Sequence, residues 1–145
     1  MRVNRSIAGL LVLTLTTFAA ACGSTPTSAS ATPGYSQTDV RLGSGAEVVS
    51  GSVLTVQYTG WLYDPSKTDS KGLQFETSRT GDTPFSFTAG AGQVISGWDQ
   101  GLIGMRALGL RRLVLPPSLA YGSARNGSIP PNATLVFEIE LLTVQ

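Results

Sequence analysis

The stretch "QVISGWDQGLIGM", residues 93–105, is the one place in this sequence where apolar residues recur at helical spacing. Trp98, Leu102 and Met105 fall on one side of a short helix that starts near Ser96, with the serine as its N-cap. Gly101 and Gly104 keep that helix slender. The tryptophan stands between a Val-Ile pair and a glycine-rich turn, and no nucleophile, metal ligand or phosphate-binding loop lies beside it.

Outward from this point the pattern changes to period two, the signature of half-buried strands. In "VLTVQYTG", residues 53–60, Leu54, Val56 and Tyr58 alternate with Thr55, Gln57 and Thr59. "LQFETS" turns Leu73 and Phe75 inward, and "PFSFT" does so with Phe85 and Phe87. "LRRLVL" reads as a further strand, stopped by Pro116-Pro117. "TLVFEIELLTV" sets Leu135, Phe137, Ile139 and Leu141 against Val136, Glu138 and Glu140. "LYDPSKTDSKG", residues 62–72, is a polar loop between two strands, and Arg111-Arg112 is too short for a nucleic-acid patch, with one of the two expected to pair on the surface. The expected fold class is α+β: a twisted antiparallel sheet curled around one short helix.

The chain has 145 residues, no histidine and one cysteine, Cys22. That composition excludes histidine-based acid–base catalysis, catalytic triads that need imidazole, mixed zinc sites and an internal disulfide. Charged residues make up 13%, about half the usual share. Without Arg2 and Arg5, eight basic residues face nine acidic ones, so no basic field exists to attract nucleic acid. No metal and no cofactor is expected.

"MRVNRSIAGLLVLTLTTFAAAC" has the basic, apolar and small-residue parts of a secretory signal, with an apolar run short for a membrane span. Its end resembles a bacterial lipobox, although Ala19 stands where Leu or Val is usual. Residues 1–21 are therefore read as a lipoprotein-type signal peptide, with Cys22 as the lipidation site that anchors the protein to a membrane. Cleavage after one of the alanines, or an uncleaved anchor, are the alternatives. Residues 22–37 are an uncharged Ser/Thr/Pro/Ala/Gly-rich segment up to Gln37, a flexible linker, and residues 38–145 are the folded domain. The protein is expected to be exported and held at the cell envelope.

Ten bulky residues gather in this domain: Tyr58, Phe75, Phe85, Phe87, Val94, Ile95, Trp98, Tyr121, Ile129 and Phe137. They can fill a core or leave an apolar pocket, and periodicity does not separate the two. "VQYTGWL", "FETSR", "PFSFTAGAGQVISGWDQGLIGM", "RRLVLPPSLAYG" and "IPPNATLVFEIELL" resemble, in order and spacing, the FKBP-type peptidyl-prolyl cis–trans isomerases. The resemblance runs from about Val48 to Gln145. It implies a sheet wrapped around a helix, an active pocket between them, and rotation about Xaa-Pro bonds as the reaction. It makes Trp98 the pocket floor and Tyr58, Phe85, Val94, Ile95 and Phe137 the walls. The Ile95 N–H and the Tyr121 hydroxyl hold the substrate backbone. Phe75 and Ile129 close the rim, and Phe87 joins the substrate-binding set. Glu76 falls where the family usually has Asp, and Gly81 where an arginine is frequent, with Arg79 as a possible substitute. Arg125 and Asn126 lie on a shortened loop near the rim. The implied partners are proline-containing polypeptides and macrolide immunosuppressant-type ligands, and the expected state is a monomer. A catalytically weak proline-binding module and an envelope chaperone remain as alternatives.

Overall fold

The computed structural model describes residues 32–145. The signal-peptide and Cys22 assignments, and most of the linker, lie outside these residues. Six strands form one antiparallel sheet. In chain order they are β1 (Ser36–Arg41), β2 (Val53–Tyr63), β3 (Lys71–Thr77), β4 (Phe85–Thr88), β5 (Leu110–Leu115) and β6 (Leu135–Val144). The spatial order is β1-β5-β6-β2-β3, and β4 pairs with the first half of β2 on the edge that β3 takes further on. One helix, α1 (Ser96–Gly101), packs against β5. The α+β layout expected from the sequence is the layout found.

The inward residues of the strands build the core. Leu54, Val56, Leu113, Leu115, Leu135, Ile139 and Leu141 are completely buried, and α1 adds Trp98 and Leu102. At about 25 cal/mol per Å², each fully buried aliphatic side chain contributes roughly 1.5–3 kcal/mol. Gly97 lets the helix approach, since a Cβ there would lie 2.5 Å from Leu115 Cδ2.

Several local expectations give way to tertiary context. β1 was not foreseen, because "SQTDVR" is fully exposed and has no apolar alternation. It begins two residues inside the stretch read as linker, since Ser36 and Gln37 pair with Val114 and Leu113. Leu73 is 68% exposed: β3 is an edge strand, and its register against β2 slips twice. Val136 is fully buried but outside the main core, flanked across the strands by Trp61 and Val114. The polar loop is tighter than residues 62–72, because β2 continues to Tyr63 and β3 starts at Lys71. Ser96 is the first helical residue, not the cap; Ile95 takes the cap position and no side chain caps the helix.

Arg112 is the arginine that pairs at the surface, whereas Arg111 is buried. It forms a bidentate pair with Asp39 of β1, at 2.7 and 3.1 Å, and donates to the carbonyls of Gly101 (2.8 Å) and Ile103 (3.2 Å). One guanidinium thus satisfies the carboxyl end of α1 and ties it to the edge strand.

The outer face of the sheet carries two charge clusters. Glu138 accepts from Lys71 (2.6 Å) and Arg112 (3.0 Å), and Arg112 also holds Asp69. Glu140 accepts from Arg41 (2.6 Å) and Arg79 (2.8 Å). Burial works to raise the Glu138 pKa, but hydrogen bonds from Lys71 and Arg112 outweigh it and the net shift is downward. Glu140 is held down by hydrogen bonds from Arg79 and Arg41. Depressed carboxylate pKa values stabilise the fold above the unfolded value of 4.5, and that contribution is lost as pH falls through the lower folded values. Thermal unfolding followed from about pH 6 to about pH 3 will therefore show a falling melting midpoint. The Glu138→Gln/Glu140→Gln double variant will flatten the slope, by about 1 kcal/mol or less per group given their partial exposure.

Candidate active site

Trp98 is the centre of the site. It is 95% buried, and four rings surround it: Tyr58 at 5.0 Å, Phe137 at 5.3 Å, Phe87 at 5.8 Å and Phe85 at 6.5 Å between centroids. Tyr58 and Phe137 meet the indole edge-on, at 80° and 90°. That is the favoured electrostatic arrangement, and each such contact adds about 0.5–1.5 kcal/mol beyond area burial. The indole Nε1 is buried and donates to no acceptor among the described residues. Trp98 is therefore held by ring contacts and not by a hydrogen bond from its nitrogen.

Above it opens a cavity of about 480 Å³. Tyr58, Phe85 and Phe137 line it from the sheet, and Val94 and Ile95 from the segment entering α1. Glu76 and Tyr121 complete the expected set, so all seven residues singled out as catalytic, with Val94, converge on one space. Two expected rim residues, Phe75 and Ile129, and Phe87 of the expected substrate-binding set do not reach it. Phe75 packs on Phe137 with centroids 5.6 Å apart, Phe87 is buried beneath the stacked ring of Phe85, and Ile129 is buried in the core. They support the lining without forming it. Arg125 and Asn126 do not reach it either: Arg125 Nε donates to the Gly127 carbonyl, and Asn126 bridges to Ile129.

The backbone of the wall is fixed from outside. The Asp99 carboxylate accepts from the N–H groups of Gly90 and Gly92, both at 2.9 Å, and Gln93 Oε1 accepts from Thr88 N–H at 2.8 Å. These bonds set the loop that ends in Val94-Ile95. The Ile95 carbonyl starts the helix by accepting from Trp98, while the Ile95 N–H donates to no protein acceptor among the described residues. On the opposite wall Ser78 Oγ accepts from Tyr58 N–H at 2.8 Å. Gln57, expected to face outward, is buried and donates to Asp82.

Burial, and after it the adjacent Glu76 carboxylate, push the Tyr58 hydroxyl pKa up to about 12. Burial and the Glu76 charge likewise raise that of Tyr121. Both phenols thus remain protonated donors at any physiological pH. Arg79 does not substitute for a cation at Gly81, because its guanidinium is on Glu140. The arrangement can bind an apolar ring, grip a carbonyl and exclude water. It holds no nucleophile and no metal-ligand cluster among the described residues.

Two contributors escaped the sequence reading. Gln93 lines the cavity. Gly60 lies in β2 opposite both Glu76 and Phe137, and a Cβ there would fall 2.6 Å from Phe75 and 2.8 Å from Phe137. A glycine inside a strand pattern is the available signal for such close approach.

Residues 45–142 match the family described as FKBP-type peptidyl-prolyl cis-trans isomerase. The chain is 45% identical over 107 residues to an FK506-binding protein of Neisseria meningitidis serogroup B, covering 73% of this chain and 92% of that one. It is 42% identical over 105 residues to FK506-binding protein 1 of Aspergillus oryzae, covering 70% and 90%. The fold is similar to the crystal structure of FkpA from Escherichia coli, with a TM-score of 0.64 and 39% identity over 77% of this chain and 48% of that one. The chain thus spans about half the length of FkpA.

Gly60→Ala will force the Phe75 or Phe137 ring from its place. The expected cost is about 1–3 kcal/mol, a fall of roughly 5–15 °C in melting midpoint. In a Trp61→Phe background, Trp98 emission will shift as Phe137 leaves its edge. An unchanged spectrum and midpoint would show that the rings have room to spare.

Proposed function

This chain belongs to the FKBP-type peptidyl-prolyl cis–trans isomerases, and we propose that the cavity over Trp98 is where it turns Xaa-Pro bonds in exported or envelope proteins. The observation that carries the reading is the bare indole face beneath an aromatic cavity, beside an Ile95 N–H that no protein acceptor engages.

Rotation about an Xaa-Pro bond breaks no bond and moves no proton. Its barrier, about 18–20 kcal/mol, is the loss of amide resonance on twisting. An acceleration of roughly 10⁴–10⁶ requires that barrier to fall by about 5–8 kcal/mol. The twisted amide is less polar than the planar one, so a dry apolar cavity favours it over the ground state. The prolyl ring sits on the Trp98 indole, between Tyr58, Phe85 and Phe137. The Ile95 N–H donates to a substrate carbonyl and Tyr121 donates its hydroxyl to the substrate backbone. Each such hydrogen bond contributes on the order of 1–3 kcal/mol if it is strongest in the twisted state. The absence of histidine from the chain is then no handicap, since this reaction asks for no general acid or base.

The same cavity is proposed to accept macrolide ligands of the FK506 type, for which the Neisseria and Aspergillus relatives are named. On the enzyme reading, Tyr121→Phe will lower kcat/KM on short Xaa-Pro-Phe peptides about tenfold, the loss of one good hydrogen bond. Phe85→Ala, at a partly exposed wall, will lower it further while the protein stays folded. A macrolide will quench Trp98 in the Trp61→Phe background and inhibit with the same concentration dependence. A folded protein that turns over no peptide would instead be a proline-binding module.

The placement at the envelope rests on the leader. Residues 1–21 as signal peptide, acylated Cys22 as the mature N-terminus, and the uncharged linker after it would hold the domain close to a membrane face. Mass spectrometry of the mature N-terminus is expected to find a lipid-modified Cys22. A free thiol there, or a different first residue, would overturn the anchor.

A further inference from the structure

The nine acidic residues of the chain all lie within the described part, and eight of them face a cation, a backbone N–H or an amide. Asp39, Glu47, Asp69, Glu138 and Glu140 pair with arginine or lysine. Asp99 and Asp64 accept backbone N–H groups, and Asp82 accepts from Gln57. Glu76 shares a hydrogen bond with the Tyr58 hydroxyl but has no cationic partner among the described residues, and it is the one carboxylate lining the cavity. It stands exposed on β3, in register with Gly60.

The neighbouring chain keeps it so. Arg79 is committed to Glu140 at 2.8 Å. Gly81 has no side chain and a φ of +84°, a conformation that disfavours any larger residue. Arg125 is turned to its own loop. The Glu76 charge reaches both phenols of the cavity, contributing to the raised pKa values of Tyr58 and Tyr121. A single negative charge beside low-dielectric aromatic walls is focused toward whatever enters.

We propose that Glu76 makes this cavity selective for charge, favouring Xaa-Pro segments that carry Lys or Arg beside the proline over those that carry Asp or Glu. The proposal rests on the reading that the cavity turns Xaa-Pro bonds. A lysine or arginine next to a proline seated on Trp98 reaches the mouth on a long flexible stem and meets an uncompensated carboxylate. An aspartate or glutamate there meets a like charge. The contact is partly exposed, so its effect is a several-fold preference, sensitive to salt.

The test compares kcat/KM for Ala-Leu-Pro-Phe, Ala-Lys-Pro-Phe and Ala-Glu-Pro-Phe peptides, at low ionic strength and at high salt, with wild type and Glu76→Gln. At low salt the Lys peptide is expected to exceed the Glu peptide several-fold. The ratio should shrink toward unity both at high salt and in Glu76→Gln, whatever the variant does to the neutral Leu peptide. A wild-type ratio near one alongside rapid turnover of the Leu peptide would overturn the proposal and leave the enzyme reading intact. A preference that survives in Glu76→Gln would overturn it too. Failure to turn over any of the three would sink the catalytic reading instead. Charge selection is then read from peptide affinities by Trp98 fluorescence in the Trp61→Phe background, where equal affinities overturn it.

Discussion

A helix of six residues is too short to persist in water by its own hydrogen bonds, yet the whole site stands on one. α1 exists because other parts of the chain complete it. Gly97 allows it to touch Leu115, Arg111 takes its terminal carbonyls, and Asp99 grips the loop that leads into it. Trp98 is thereby presented at a fixed height and tilt, and the aromatic rings of β2, β4 and β6 close around it. Remove the docking and there is no floor.

The second constraint is the seam between β2 and β6. Their long antiparallel register brings Gly60 opposite Phe137, where the missing Cβ admits the edge-to-face pair of Phe75 and Phe137. The charge clusters on the outer face, Lys71-Glu138-Arg112-Asp69 and Arg41-Glu140-Arg79, bind β1, β3, β5 and β6 together from the solvent side. Their energies are individually small, but they commit nearly every cation in reach. That commitment leaves Glu76 without a cation at the mouth of the cavity. Architecture on one face of the sheet thus sets the electrostatics on the other.

The chemistry suits a reaction in which only a torsion changes. The cavity holds no imidazole, and its one carboxylate, Glu76, has no proton to move in such a reaction. Burial and Glu76 keep its two phenols protonated, so each can donate a hydrogen bond. Catalytic power has to come from differential solvation of a twisted amide and from fixed hydrogen-bond donors, both of which a rigid aromatic enclosure supplies.

By itself the sequence determined the alternation of the strands, the single helical segment, the exclusion of imidazole chemistry and of an internal disulfide, and the residues that resemble a known pocket. Those are local or compositional properties, and period and residue type encode them directly. Which faces are covered was decided by the fold. Gln57 and Val136 were expected outside yet are buried, whereas Leu73 was expected inside and is exposed. Alternation names two faces of a strand but not what lies over each, and β1 became a strand only because β5 offered it an edge. Whether ten bulky residues would fill a core or leave a cavity was likewise open in the sequence. It was settled by how α1, the strands and the loops pack together, through contacts between residues far apart in the chain. The isolation of Glu76 is of the same kind: its charge is plain in the sequence, but its want of a partner depends on where every arginine and lysine finally comes to rest.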